Sequence, residues 1–281
     1  MLQAQPSRTA QRVAVRRATH QLLDEPRVFD DPLAVAIAGE SESPPSAQEI
    51  YSRALRAFIA VRSRYAEDQL AIAIERGVRQ YVVLGAGLDT FAYRNPFQAL
   101  GLRVFEVDHP ATQEWKREQL RFAGIAIPQD LTFAAVDFER QSLADGLLQA
   151  GFDQQQPAFF SWLGVTPYLS RAAFDATMHF IASLPAASGV VFDYALERSL
   201  LSPQQQLALD ALSARVARAG EPFQLFFDPA QLHSDLARWG FSSIEDLGGD
   251  QINARYFAGR ADGLAVTGGG HLLGCEVKSD V

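Results

Sequence analysis

Two glycines one residue apart follow a short apolar run in Leu84-Gly85-Ala86-Gly87-Leu88-Asp89-Thr90. Such a pair lets backbone N–H groups approach a ligand and turns a strand sharply into the next element. A dinucleotide fingerprint needs a third glycine at position 90, where Thr90 stands. Asp108 lies 21 residues beyond Gly87, in Phe105-Glu106-Val107-Asp108-His109-Pro110. At the carboxyl end of a second strand it can accept both hydroxyl hydrogens of a ribose, or it can cap a helix opening at Pro110. Glu106 shares that strand face but lies deeper. Val136-Asp137-Phe138-Glu139 offers a carboxylate for an exocyclic amine of adenine and an aromatic to pack on its ring, though Asp137 could equally be an N-cap. There is no Gly-Lys-Ser or Gly-Lys-Thr phosphate loop and no Gly-x-Ser-x-Gly elbow of a hydrolase. Histidines 20, 109, 179, 233 and 271 have no metal-ligand spacing, so no metal is expected. His20 and His109 are the histidines to consider as bases.

These residues need a scaffold, and the apolar pattern supplies one. Residues 1–75 read as helical, interrupted at Asp24-Glu25-Pro26. Asp31-Pro32 looks like the start of a helix to Ala38, because Asp caps and Pro suits the first helical position. Gly39–Ser46 reads as a loop rich in Ser and Pro, and a long helix is expected from Gln48 to Glu75, ended by Gly77. Apolar runs at 81–84, 102–107, 131–136, 158–163 and 189–194 predict buried parallel strands, with helices over 110–123, 139–150, 170–184 and 203–219 between them. Segments 241–247 and 272–277 predict two closing strands around a Gly-rich loop. The expected fold class is α/β: a doubly wound, Rossmann-like, seven-stranded sheet of five parallel strands plus a C-terminal closing pair. An N-terminal helical cap (1–76) belongs to the same domain as the core (77–281). A lid-like insert falls around 195–230 and a loop at 248–270.

Composition narrows the function classes. The chain has 281 residues, 48% of them hydrophobic, which excludes general disorder. With 25 Lys plus Arg against 33 Asp plus Glu, its net charge of −8 argues against a nucleic-acid partner. No apolar run nears the ~20 residues of a membrane span. The lone Cys275 sits in an apolar strand and reads as a buried thiol. Arg8, Arg12, Arg16 and Arg17 faintly resemble a transit peptide, but their spacing suits a solvated helix face. With no disulfide framework and no secretory leader, a cytoplasmic location is expected.

Tyr-Val-Val-Leu-Gly-Ala-Gly-Leu-Asp-Thr-Phe-Ala-Tyr-Arg (81–94) resembles the first motif of the leucine carboxyl methyltransferase family, which includes polyketide O-methyltransferases, within the class I S-adenosylmethionine-dependent enzymes. Segments 105–110 and 136–138 resemble its second and third motifs. Val61-Arg62-Ser63-Arg64-Tyr65-Ala66-Glu67-Asp68 resembles its Arg-containing pre-motif, and Asn253–Phe257 with Gly259-Arg260 its C-terminal segment. The resemblance implies that Arg62, with Arg64 as rival, pairs with the methionine carboxylate of S-adenosylmethionine. Gly85, Gly87 and Asp89 would lie at the donor, Asp108 on its ribose, and Asp137 with Phe138 on its adenine. Where family members often carry a Glu, the segment Phe160–Leu169 has no acid. Trp162 there would stack on or wall the methyl-donor pocket.

The expected activity is therefore O-methylation of a carboxylate or hydroxyl on a small molecule or peptide, with S-adenosyl-L-homocysteine as the other product. A carboxylate acceptor needs no base; a hydroxyl does, with His20, His109 and Tyr168 the weak candidates. A nicotinamide-dependent reductase on a similar sheet, or a cofactor-binding protein without turnover, are the alternatives. Thr90 and the lack of a Tyr-x-x-x-Lys pair count against the reductase. No membrane partner is expected, and the sequence does not indicate an oligomeric state.

Overall fold

The computed structural model describes residues 8–39, 53–137, 141–218 and 220–279. Residues 40–46 of the expected loop, the Gln48 start of the long helix, and Phe138 lie outside the described residues. One sheet contains β1 (Gln80–Leu84), β2 (Arg103–Asp108), β3 (Leu131–Ala135), β4 (Ala158–Trp162), β5 (Gly189–Ala195), β6 (Phe241–Leu247) and β7 (Gly270–Val277). Their order is β3-β2-β1-β4-β5-β7-β6. Strands β1 to β5 are parallel, and β7 is antiparallel to β5 and β6. These are the five parallel strands and the closing pair expected. The order reverses at β1, so the turn after β1 opens on the crevice at the strands' carboxyl ends, the usual ligand position in such sheets.

Helices α1 (Arg8–Leu23), α2 (Ala34–Ala38) and α3 (Arg53–Glu75) precede the sheet. After it begins come α4 (Pro110–Phe122), α5 (Leu143–Gln149), α6 (Arg171–Ala182), α7 (Pro203–Arg218), α8 (Pro229–Trp239) and α9 (Gly249–Tyr256). All five residues of β1 are buried because helices cover both sheet faces, which is why Tyr-Val-Val-Leu is continuous rather than alternating. Tyr81 and Val83 pack on one side with Tyr65, Leu70 and Ile74 of α3. Val82 and Leu84 pack on the other with Phe105, Phe160 and Phe174.

Strand parity corrects the expectation for Trp162. It shares the face of Phe160, is 4% exposed, and stacks on Phe174 at 5.5 Å with the rings 6° apart. Its indole is core packing between β4 and α6, not a wall of a donor pocket. Cys275 is buried as expected, and burial pushes its thiol up.

Two local expectations also change. The Asp31-Pro32 helix begins late, at Ala34, with no side-chain cap at Leu33. Asp31 Oδ1 still accepts the Leu33 N–H at 3.2 Å, but Oδ2 is taken by Arg17 at 2.6 Å and Thr90 at 2.7 Å. The same Asp-Pro signal at Asp228-Pro229, where no helix is expected from sequence, does open one. There Asp228 accepts the Ala230 and Gln231 N–H groups and Pro229 starts α8. The expected loop at 248–270 likewise contains α9.

Candidate active site

The turn after β1 is stapled to β2, with Gly85 and Ala86 N–H both donating to the Val107 carbonyl at 2.8 and 3.1 Å. Gly85 has φ +66°, and a Cβ there would lie 2.4 Å from Val165 Cγ2, so the turn requires glycine. The Gly87 N–H donates to Asp108 Oδ2 at 2.7 Å, and Asp108 Oδ1 accepts its neighbour His109 N–H at 2.7 Å. Burial raises the Asp108 carboxyl above its ordinary value, while these two N–H groups pull it back. Val136 N–H donates to the Asp108 carbonyl at 3.0 Å, which brings Asp137 to the same sheet edge. Deeper, Glu106 is paired with Lys116 at 2.6 Å, and burial raises its carboxyl to about 7 against that ammonium.

Asp89 is a local cap: its Oδ1 accepts the Phe91 N–H at 2.8 Å and opens the 3₁₀ turn Phe91–Arg94. Thr90 is fully buried and holds the N-terminal segment to the turn. Its hydroxyl donates to Asp31 and accepts from Arg17 at 2.9 Å and Arg94 at 3.2 Å.

Arg62 and Arg64 part company on α3. Two residues along a helix rotate a side chain by about 200°, so they cannot share a face. Arg62 is on the buried face, its Nη1 donating to Asp193 Oδ2 at 3.1 Å with 9% of its side chain exposed. Arg64 is half exposed and pairs with Asp68 one turn away. Asp193 also accepts the Gly164 N–H through Oδ1 at 2.5 Å. A Cβ on Gly164 would lie 2.7 Å from both terminal nitrogens of Arg62, at φ +72°. Gly164→Ala is therefore expected to displace the guanidinium and to cost about 1–2 kcal/mol of stability through the strained backbone. Urea unfolding checks the second effect, and an unchanged midpoint would show that the corner has slack.

A cavity of about 1620 Å³ opens from this corner. Phe58, Ile59, Leu201, Leu212 and Phe223 provide apolar wall, and Arg12 and Arg215 provide cations. Gly85, Gly87 and Asp108 are not among its described walls. Val165 stands against Gly85, and Ala10 of α1 stands against Gly87. Tyr168 does line the cavity, its ring 5.2 Å from Phe223, and burial raises its phenol.

The two histidines expected as bases are occupied elsewhere. His20 is fully buried: Nδ1 meets Asp24 at 2.8 Å, and Nε2 accepts from Val28 and Phe29 N–H at 3.2 and 3.3 Å. His109 caps α4 by accepting the Ala111 N–H at 3.1 Å. His271 lines the cavity instead, with Nδ1 2.8 Å from Asp246. Sequence reasoning missed Asp193, although a carboxylate at the carboxyl end of a parallel strand is the signal that singles out Asp108. It also missed Asp246, for which no spacing signal exists. Among the described residues no group of three or more His, Cys, Asp or Glu is placed to hold a metal.

The sheet order and the glycine turn at its switch point are those of the α/β methyltransferase-like fold. A Thermobifida fusca protein provisionally described as a methyltransferase superposes with TM-score 0.56 at 17% identity, over 95% of each chain. A DUF574-family protein of Streptomyces avermitilis gives 0.57 at 16%, over 94% of this chain and 97% of that one. The chain belongs to the leucine carboxyl methyltransferase family, whose model matches residues 10–182. YktD of Bacillus subtilis, provisionally named an S-adenosyl-L-methionine-dependent methyltransferase, is 33% identical over 279 residues, covering 90% of this chain and 91% of the relative. A Mycobacterium avium protein with the same provisional name is 30% identical, covering 84% and 77%. The protein is an S-adenosylmethionine-dependent methyltransferase, and the nicotinamide alternative is not favoured.

Proposed function

We propose that this methyltransferase acts on an oxygen, carboxylate or hydroxyl, of a small molecule or peptide held in the cavity beside Arg62. The observation that carries the reading is the cavity's position and size. It starts at the Arg62–Gly164–Asp193 corner and exceeds the ~300–1,000 Å³ of ordinary small-molecule sites. In this reading α7 and the 195–230 segment are the lid over the acceptor.

The residues at the sheet edge fit the donor. Gly85 and Gly87 present bare backbone at the turn, and Asp108 accepts one N–H on each oxygen and the Thr112 hydroxyl besides. A carboxylate has about four acceptor positions, and the one these donors leave suits a ribose hydroxyl. Arg62 Nε and Nη2 donate to no described residue, leaving them to hold the methionine carboxylate while Asp193 fixes the guanidinium. Asp137 and Phe138 would take the adenine. The bound donor supplies a methyl group on a sulfonium, and the chain's part is alignment and exclusion of water.

Labelled S-adenosylmethionine offered with a panel of carboxylic acids, phenols, amines and thiols tests the reading. Methyl esters release methanol in alkali and methyl ethers do not, so the product identifies its oxygen. Label on nitrogen or sulfur acceptors alone would overturn O-methylation. Asp108→Asn is expected to weaken S-adenosylhomocysteine binding by about 1 kcal/mol, roughly fivefold, for one lost hydrogen bond. Calorimetry showing unchanged affinity would remove Asp108 from the ribose.

A further inference from the structure

His271 stands opposite Tyr194 where β7 pairs antiparallel with β5, and both residues line the cavity. Asp246, on β6, organises the groups around it. Its Oδ1 is 2.8 Å from His271 Nδ1; its Oδ2 accepts the Tyr194 hydroxyl at 2.6 Å and faces His233 Nε2, from α8, at 2.7 Å. A carboxylate can only accept, and the Tyr194 hydroxyl, 3.2 Å from Nδ1, gives its proton to Asp246, so the His271 proton facing both is on Nδ1 and Nε2 carries the free lone pair. Nε2 has no hydrogen-bond partner among the described residues. It lies against Gly248, also in the cavity wall, where a Cβ would be 3.1 Å from it. An oriented imidazole with one nitrogen on a carboxylate and the other on a cavity is the arrangement of a general base.

We propose that His271 Nε2, oriented by Asp246, takes the proton from a phenolic or enolic hydroxyl acceptor bound in this cavity. The inference rests on the methyl acceptor binding there, and it decides between the two oxygen classes left above. A carboxylate acceptor is already ionised and has no use for this base. A phenol with a pKa near 10 lies within reach of imidazole, whereas an aliphatic alcohol does not. The acceptor O–H bond breaks with its proton going to Nε2, and the oxygen forms a bond to the donor's methyl carbon. The carbon–sulfur bond breaks with its electron pair remaining on sulfur, and the imidazolium later returns its proton to water.

The neighbours suit that proton's arrival. Burial pushes the Asp246 carboxyl up, but hydrogen bonds from His271, Tyr194 and His233 outweigh it and hold it below its usual range, so it stays anionic beside the imidazolium. The Tyr194 phenol, raised by burial and by Asp246 and Asp228, is a donor to Asp246 and not a competing base. Phe58 packs against Gly270, next to His271, and with Tyr194 offers ring surface for an aromatic acceptor.

The test uses the full chain loaded with S-adenosylhomocysteine and para-nitrophenol as probe, at a pH below the probe's own pKa. Wild type is expected to bind the probe as its coloured phenolate. His271→Gln should bind it within about threefold of wild type but as the neutral phenol, Asp246→Asn should give an intermediate phenolate fraction, and His179→Gln, at an exposed position of α6 outside the cavity wall, should behave as wild type. A merely structural clip between β5, β6, β7 and α8 would leave the bound probe's ionisation unchanged. A phenolate band that persists in His271→Gln, a neutral probe in wild type, or no probe binding at millimolar concentration would overturn the proposal. Calorimetry with S-adenosylhomocysteine and the labelled-methyl assay separate this outcome from failure of the wider reading. Intact donor binding with label found only in alkali-labile esters would remove the base and leave O-methylation standing.

Discussion

Arg62→Lys is expected to lower affinity for S-adenosylhomocysteine by about 10- to 100-fold while leaving that for 5′-methylthioadenosine within about twofold. Lysine keeps the positive charge but not the planar fork. In Arg62 one terminal nitrogen is held by Asp193 at 3.1 Å, which orients the rest of the guanidinium. Hydrogen bonds to charged groups contribute about 1.5–3 kcal/mol each, which sets the size of the loss. 5′-Methylthioadenosine lacks the amino-acid carboxylate and so cannot report on this contact. The ratio of the two affinities, measured by calorimetry in wild type and variant, isolates it from any general loosening of the site. An equal loss for both ligands would place Arg62 away from the carboxylate. Arg64→Lys is the matched control and should change neither, because Arg64 is half exposed and pairs with Asp68 on its own helix.

Asp31→Ala should destabilise the fold by about 3–5 kcal/mol, the usual consequence of removing one partner from a buried ion pair. Asp31 is fully buried, and the Arg17 side chain beside it is only 6% exposed. The alanine variant leaves that guanidinium only one carboxylate, at the longer 3.6 Å contact of Nη1 with Asp89 Oδ2, and it strands the Thr90 hydroxyl donor. Burial pushes the Asp31 carboxyl up, but Arg17, Arg94 and Thr90 more than offset it, so its folded pKa lies below the ordinary value. With a depressed folded pKa, the stability from this group is complete above the unfolded pKa of about 4 and is lost as pH falls through the folded one. Urea unfolding of wild type and variant should therefore show a gap that is constant from neutral pH down to about pH 5 and narrows below pH 4. A gap under about 1 kcal/mol at neutral pH would mean that the segment from α1 to α2 is held by packing alone.

The elements that depend on neighbours in sequence were legible. Tyr81–Leu84 and the two glycines after it declare a buried strand and a tight turn because strand burial and positive φ are local requirements. Asp108 was placed at the end of β2 because a parallel strand and its following Pro110 mark their own boundary. The pre-motif offered two arginines, and only the rotation of α3 relative to the sheet puts Arg62 on the buried face and Arg64 on the outer one. Arg62 meets a carboxylate 131 positions away, a partner no spacing rule could name. Trp162 was misplaced because an all-apolar strand hides which residues point to which face, and only packing on Phe174 decides it. Asp31 carried a correct cap signal that a buried ion pair with Arg17 overrode, since an uncompensated interior charge costs more than a helix start contributes. His271 and Asp246 were invisible as a pair, because the antiparallel return of β7 between β5 and β6 joins residues 25 apart that share no local pattern. Sequence thus determined the strands, the glycine turn and the carboxylate at its side, where local sterics and burial suffice. The tertiary structure alone decided which side chains face one another across the cleft, because those contacts follow from how helices rotate and strands return.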